Sequence, residues 1–344
     1  MIKKYRAGII GLGRIGFTLG FDKKREQPSS HSRALSESRR IIVDGGFDID
    51  PLKSRAWGKH FKRAKVYSTA EEMLADGVWD IIVIAVPEEH HLQVFRKVVG
   101  TRPGLIVLEK PVAPTIKEAL YIKQESQQYE VPVLVNHERR FSRDYLLMKR
   151  ILSGMVLGKP LIINSSLFTS SPAWMGGDEM KGKGALVSDG THLFDTVSFL
   201  LGERPFMRHA EAYGLDKNGN IAGLSCLGST MGIDTVFNIG YGAEHFTFEI
   251  DLICKKGRAR IGNGLFEISV SKSSPFYEGF FSLIRETRYK PFRRTGCFSA
   301  MTANCIEFLD GTAPLHSTLD DGIGALLSIE EIKEILRGQG IKLN

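Results

Sequence analysis

Nowhere in the 344 residues does an apolar run approach the roughly 20 residues that a membrane span requires. The opening "MIKKYRAGIIGLG" sets basic residues before an apolar patch, but the patch is short, glycine-interrupted and followed by no small-residue cleavage site. Neither a membrane partner nor a secretory leader is expected, and the cytoplasm is the expected location. Cysteine is scarce: Cys226, Cys254, Cys297 and Cys305 form no CxxC pair and no ligand-like spacing, which argues against a disulfide framework or a thiolate cluster. His90 and His91 stand apart from other ligand types, so no metal is expected. Internal repeats, low-complexity tracts and nucleic-acid-binding signatures are also missing. The formal charge of +7 is scattered, apart from "RETRYKPFRR" at 285–294. That stretch reads first as a solvated loop, then as a draw for an anionic small molecule, and last as a nucleic-acid contact.

What is present fits a globular chain long enough for two domains, with 42% hydrophobic residues. From residue 5 to about 135, short apolar runs alternate with longer amphipathic stretches. "YRAGIIGLG", "DIIVIAVP", "LIVLEKP" and "VPVLVN" read as strands; "TAEEMLAD", "EEHHLQVFRKVV" and "TIKEALYIKQESQQY" carry apolar residues near helical spacing. Thr69 and Thr115, each with a glutamate three residues on, are expected helix caps. Such alternation predicts parallel strands joined by crossover helices. After residue 160 the texture turns to alternating, aromatic-rich runs such as "DTVFNIGYG" and "EHFTFEIDLICKKG", which predict an open, mostly antiparallel sheet closed by the helix "GIGALLSIEEIKEILRG". The fold class is therefore α/β, with a doubly wound Rossmann domain over 1–136 and a second α/β domain over 137–344.

Gly11, Gly13 and Gly16 form GxGxxG directly after the first predicted strand, with Arg14 and Ile15 between the last two glycines. Glycine lets backbone N–H groups approach a pyrophosphate closely at a helix N-terminus. An acid after the second strand would hold the adenosine ribose; in "IIVDGGFDIDP" Asp48 is the first choice, with Asp44 and Asp50 as alternatives. An acid there favours NAD over NADP. Asp48 lies 32 residues beyond Gly16, against the usual spacing of about 20. The excess falls in "GFDKKREQPSSHSRALSESRR", which reads as an insertion beside the cofactor cleft: a lid, a substrate loop, or a longer surface connection.

The glycine motif at 11–16, "AVPEEHH" at 85–91, "EKP" at 109–111 and "GKGALVSDGTHLFD" at 182–195 appear in this order and spacing. Together they resemble the Gfo/Idh/MocA oxidoreductases, over nearly the full length. The resemblance implies an NAD- or NADP-dependent enzyme that oxidises or reduces a secondary alcohol on a sugar, nucleotide-sugar or cyclitol, and a homo-oligomer, dimer or tetramer. It implies Lys110 as the active-site lysine at the end of a strand, with Glu109 fixing the loop or the lysine. Pro87, His91, Glu109 and Lys110 are then expected at the cofactor, and His192 as the base. The family carries an aspartate four residues before that histidine; here Ser188 stands there and Asp189 follows, so Asp189 is expected to replace it, with Asp195 on the other side of the histidine. Arg139 and Arg140 fall where the family can contact substrate or cofactor, or start a solvated helix. Trp174 is either a stacking platform for a sugar or hydrophobic filler. Two other readings stay open: an internal oxidation–elimination–reduction cycle, and an NAD-binding sensor of the same fold. The substrate is a carbohydrate-like small molecule, anionic ones included.

Overall fold

The computed structural model describes residues 3–169, 185–215, 221–241 and 243–341, and the chain divides into two units, Met1–Ser142 with Arg294–Ile323 and Arg143–Arg293 with Gly324–Asn344. In the first unit the apolar runs become the strands β1 (Tyr5–Ile10), β2 (Ile41–Phe47), β3 (Lys65–Val66), β4 (Ile81–Ile84), β5 (Leu105–Leu108) and β6 (Val133–Val135). Their order in the sheet is β3-β2-β1-β4-β5-β6, and every pairing is parallel. β4, β5 and β6 are buried along their whole length, as strands covered on both faces must be, which is why they read as unbroken apolar runs. The order reverses between β1 and β4, the point where open α/β sheets bind ligands at their carboxyl edge.

The expected caps form. Thr69 accepts from the Glu72 N–H ahead of the helix Ala70–Ala75, and Thr115 accepts from the Glu118 N–H ahead of the helix Ile116–Tyr129. Each satisfies a donor that the first helical turn leaves without an internal partner. The chain returns to this unit late: Phe298, Met301 and Cys305 of the helix Cys297–Leu309 join the core of Tyr5, Ile9, Ile81 and Val107. A linear reading of the sequence did not include that return, because apolar residues near helical spacing do not say which sheet they cover.

The second unit contains β7 (Pro160–Thr169), β8 (Phe206–Leu215), β9 (Ile221–Thr230), β10 (Ile233–Tyr241), β11 (Thr247–Cys254), β12 (Gly257–Gly262), β13 (Leu265–Ser273) and β14 (Phe281–Arg285). They form one sheet in the order β14-β13-β12-β11-β7-β10-β9-β8, antiparallel throughout except where β7 pairs with β10. Burial alternates along β7, β11 and β12. The inward set, including Ile163, Leu167, Phe237, Ile250 and Leu252, packs with Phe194 and Val197 of the helix Gly190–Leu201 and with Ile329, Ile332 and Leu336 of the helix Leu319–Gly338. Among the described residues no helix is long and apolar enough to cross a membrane.

Gly11 and Gly16 are fixed by this packing. Gly11 has φ +97°, and a Cβ on it would lie 2.5 Å from the Ala85 carbonyl; a Cβ on Gly16 would lie 2.0 Å from the Gly11 carbonyl oxygen. Around Gly13 a Cβ would meet nothing within 4 Å. Gly16→Ala should therefore lower stability by about 1–3 kcal/mol, the usual range for overpacking, whereas Gly13→Ala should change it by less than about 0.5 kcal/mol. Urea unfolding of the two variants measures the contrast.

Candidate functional site

Beyond β1 the backbone makes a tight turn, with the Gly11 N–H on the Phe47 carbonyl at 2.8 Å, and then winds helically as the Phe17 and Leu19 N–H groups reach the carbonyls of Gly13 and Arg14 at 2.9 Å each. Arg14 is exposed and Ile15 half-buried. The open space around Gly13 is where an anionic group could meet bare backbone.

The three candidate acids separate cleanly. Asp44 lies within β2 and pairs with Arg6 at 2.6 Å. Asp50 caps the helix Pro51–His60, accepting from the Leu52 N–H at 2.8 Å. Asp48 reaches the glycine loop: its Oδ2 accepts from the Leu12 N–H at 2.7 Å and its Oδ1 from the Asp50 N–H at 2.9 Å. Each oxygen keeps a lone pair for a further donor, such as a ribose hydroxyl.

The insertion proves to be a splice in the first helix. In an α-helix the carbonyl of Ile15 would accept from residue 19 and that of Gly16 from residue 20. Here His31 and Ser32 make those bonds, at 3.0 Å each. Residue 31 stands where 19 is expected, a displacement of 12, and the 32-residue spacing from Gly16 to Asp48 reduces by 12 to the usual value of about 20. The spliced segment is tied down at several points. The Gln27 side-chain amide donates to the carbonyls of Leu19 and Asp22, and Glu26 accepts from the Thr295 N–H and the Gly296 N–H, both at 2.7 Å, ahead of the helix Cys297–Leu309.

At the end of β5, Glu109 is buried, and its Oε1 receives both His31 Nε2 and the Asn136 side-chain amide at 2.6 Å. Burial alone would raise its pKa, but the bonds from His31 and Asn136 and the charge of Lys110 hold the carboxyl below the usual carboxylate range. Glu109 thereby ties the end of β5 to His31 and Asn136. Lys110 follows, half-buried, with a cis bond to Pro111.

His91 corrects an expectation. Its side chain is fully buried, and its ring nitrogens face the carbonyls of Val86 at 2.9 Å and Val112 at 3.2 Å. Burial pushes its pKa below the ordinary histidine range. Its buried ring sits between the loop after β4 and the loop after β5, and as a neutral imidazole it donates to one of the two carbonyls. Pro87, at the start of that first loop, is exposed. Arg140 is buried and paired with Asp321 at 3.0 Å, which sets it apart from a solvated helix start. Arg139 beside it is half-buried. His137, which the sequence did not single out, is fully buried; burial, with the Arg140 and Lys110 cations, pushes its imidazole down to about 3.

In the second unit, Asp189 immediately precedes the helix Gly190–Leu201, and its carbonyl accepts from the His192 N–H at 3.0 Å. Both residues are half-buried, while Asp195 is buried. Ser188 ends the short helix Ala185–Ser188, and Trp174 lies outside the described residues. Among the described residues no group of three or more His, Cys, Asp or Glu is placed to hold a metal ion.

Residues 5–137 match the family model described as the oxidoreductase family with an NAD-binding Rossmann fold. The rhizopine catabolism protein MocA of Rhizobium meliloti is 26% identical over 202 residues, and the match spans 59% of this chain and 59% of that protein. An inositol 2-dehydrogenase of Corynebacterium glutamicum is 24% identical over 274 residues, spanning 76% of this chain and 75% of its own. Among solved structures, the WlbA dehydrogenase of Bordetella pertussis, in complex with NADH and UDP-GlcNAcA, superposes with a TM-score of 0.81 at 19% identity and covers 98% of this chain and 96% of its own. At that identity the likeness speaks to the fold. Residues 5–137, within the first unit, thus match the NAD-binding Rossmann fold of that oxidoreductase family.

Proposed function

We propose that the protein is an NAD-dependent oxidoreductase that interconverts a secondary alcohol and a ketone on a sugar, nucleotide-sugar or cyclitol. The observation that carries this reading is the meeting, at the carboxyl edge of one parallel sheet, of a bare glycine loop and an acid bonded to it, Asp48. When bound, NAD supplies the hydride acceptor. Asp48 accepts from the ribose hydroxyls, and its charge opposes a 2′-phosphate, so NAD is preferred to NADP. Lys110 donates a hydrogen bond to the reacting oxygen, whose negative charge builds as its proton is taken and falls again as the hydride leaves. His192 takes the hydroxyl proton, with Asp189 in place of the family aspartate to orient the ring. The substrate class takes support from the named activities of the relatives, an inositol 2-dehydrogenase and a dehydrogenase solved with a nucleotide-sugar acid.

The direct test is an absorbance screen for NADH formation across cyclitols, sugars, sugar acids and nucleotide-sugars. Turnover of any member supports the reading, and tight NAD binding without NADH from any of them overturns it. Lys110→Ala should lower turnover by about 10²- to 10⁴-fold, while calorimetry finds NAD affinity within a few-fold of wild type. Asp48→Asn keeps one acceptor oxygen and removes the charge; the preference for NAD over NADP should fall by roughly tenfold or more. Unchanged selectivity would remove Asp48 from the ribose.

A further inference from the structure

The helix splice delivers one residue to a place that deserves a function. His31 is fully buried, and its Nε2 lies 2.6 Å from Glu109 Oε1, across 78 residues of chain. Its Nδ1 has no hydrogen-bond partner among the described residues, nor has the Oδ1 of Asn136. Both side chains thus bring a polar group into a dry interior and use it on a single atom, the Glu109 carboxylate oxygen. An imidazole serving only as packing against Phe298, with ring centroids 5.4 Å apart, could be replaced by an apolar ring that leaves no orphan nitrogen.

We propose that His31 is a positioning residue, donating its Nε2–H to Glu109 so that a buried carboxylate stays charged beside Lys110 and fixes the lysine at the end of β5. The inference rests on the oxidoreductase reading for its effect on turnover, and on the His31–Glu109 contact and the adjacency of Glu109 and Lys110 in the chain for its effect on Lys110. Without His31, Glu109 would keep one donor, Asn136, too little to hold a charge away from water; it would take up a proton and Lys110 would lose its anionic neighbour. Through its N–H on the Ile15 carbonyl, position 31 is the helical equivalent of position 19. The excursion of 12 residues therefore leaves this contact where an unbroken helix would have put it.

The test compares His31→Phe, which keeps the ring and removes the donor, with His31→Gln, which restores a donor. Two readouts are taken: steady-state kinetics on a substrate found by the NADH screen, and the rate at which trinitrobenzenesulfonate modifies Lys110, followed by peptide mass spectrometry. His31→Phe should lower kcat roughly ten- to hundredfold with KM changed far less, and shift the Lys110 modification rate by about threefold or more. His31→Gln should recover most of both. If His31→Phe does not fold, Glu109→Gln, which removes the charge and keeps the shape, should give the same two changes. A His31→Phe or Glu109→Gln protein with wild-type kcat and wild-type Lys110 modification overturns the proposal. If the wild type turns over nothing in the screen, the oxidoreductase reading fails, and the Lys110 modification rates alone decide the role of His31.

Discussion

A carboxylate in a dry interior has to be matched by donors brought to it, and Glu109 imposes that demand on the carboxyl edge of the first unit. One donor comes from the first helix and the other from the residue that follows β6. Three stretches of chain far apart in sequence are thereby pinned to one oxygen atom. The neighbouring loops are held in related ways: His91 joins the segments after β4 and β5, and Asp48 joins the end of β2 to the glycine loop. The edge that faces a dinucleotide is thus built from backbone segments tied to one another by buried and half-buried side chains, a stiffer support than free loops would give.

Much of this was legible in the sequence. Buried parallel strands announce themselves as apolar runs, and the glycines of a phosphate loop are dictated by contacts too close for a Cβ. Thr69 and Thr115 were readable because a cap is a local event, complete within four residues. The roles of His31 and Arg140 were not, because each depends on a partner more than 70 residues away in the chain. His91 shows the same limit from the other side: its motif pointed to the cofactor edge, but a motif does not say which way a ring faces. The helix Cys297–Leu309 was hidden for a related reason, since its apolar face would suit either sheet.

The basic stretch at 285–294 is partly neutralised where it stands. Arg285 pairs with Glu267 at 3.0 Å and Arg288 with Glu286 at 3.3 Å, while Lys272 on the adjoining strand shares Glu286 at 2.7 Å. Further along the same sheet, Arg260 bridges Glu249 and Glu267, and Arg258 holds Asp251. These are partly exposed pairs, each contributing little to stability. Their larger effect is on the field: cations interleaved with acids along a sheet partly cancel one another.

The splice in the first helix separates two kinds of continuity. Its hydrogen-bond ladder passes from residue 16 to residues 31 and 32 as though nothing intervened, while the covalent chain makes a detour. The two ends of the detour are held one helical step apart by the ladder itself. Lengthening or shortening the detour would then carry a closure cost that grows slowly with length, and would also have to keep Glu26 on the Thr295 and Gly296 N–H groups. The detour is thus insulated from the dinucleotide fold in its length and joined to it in its sequence, through Glu26.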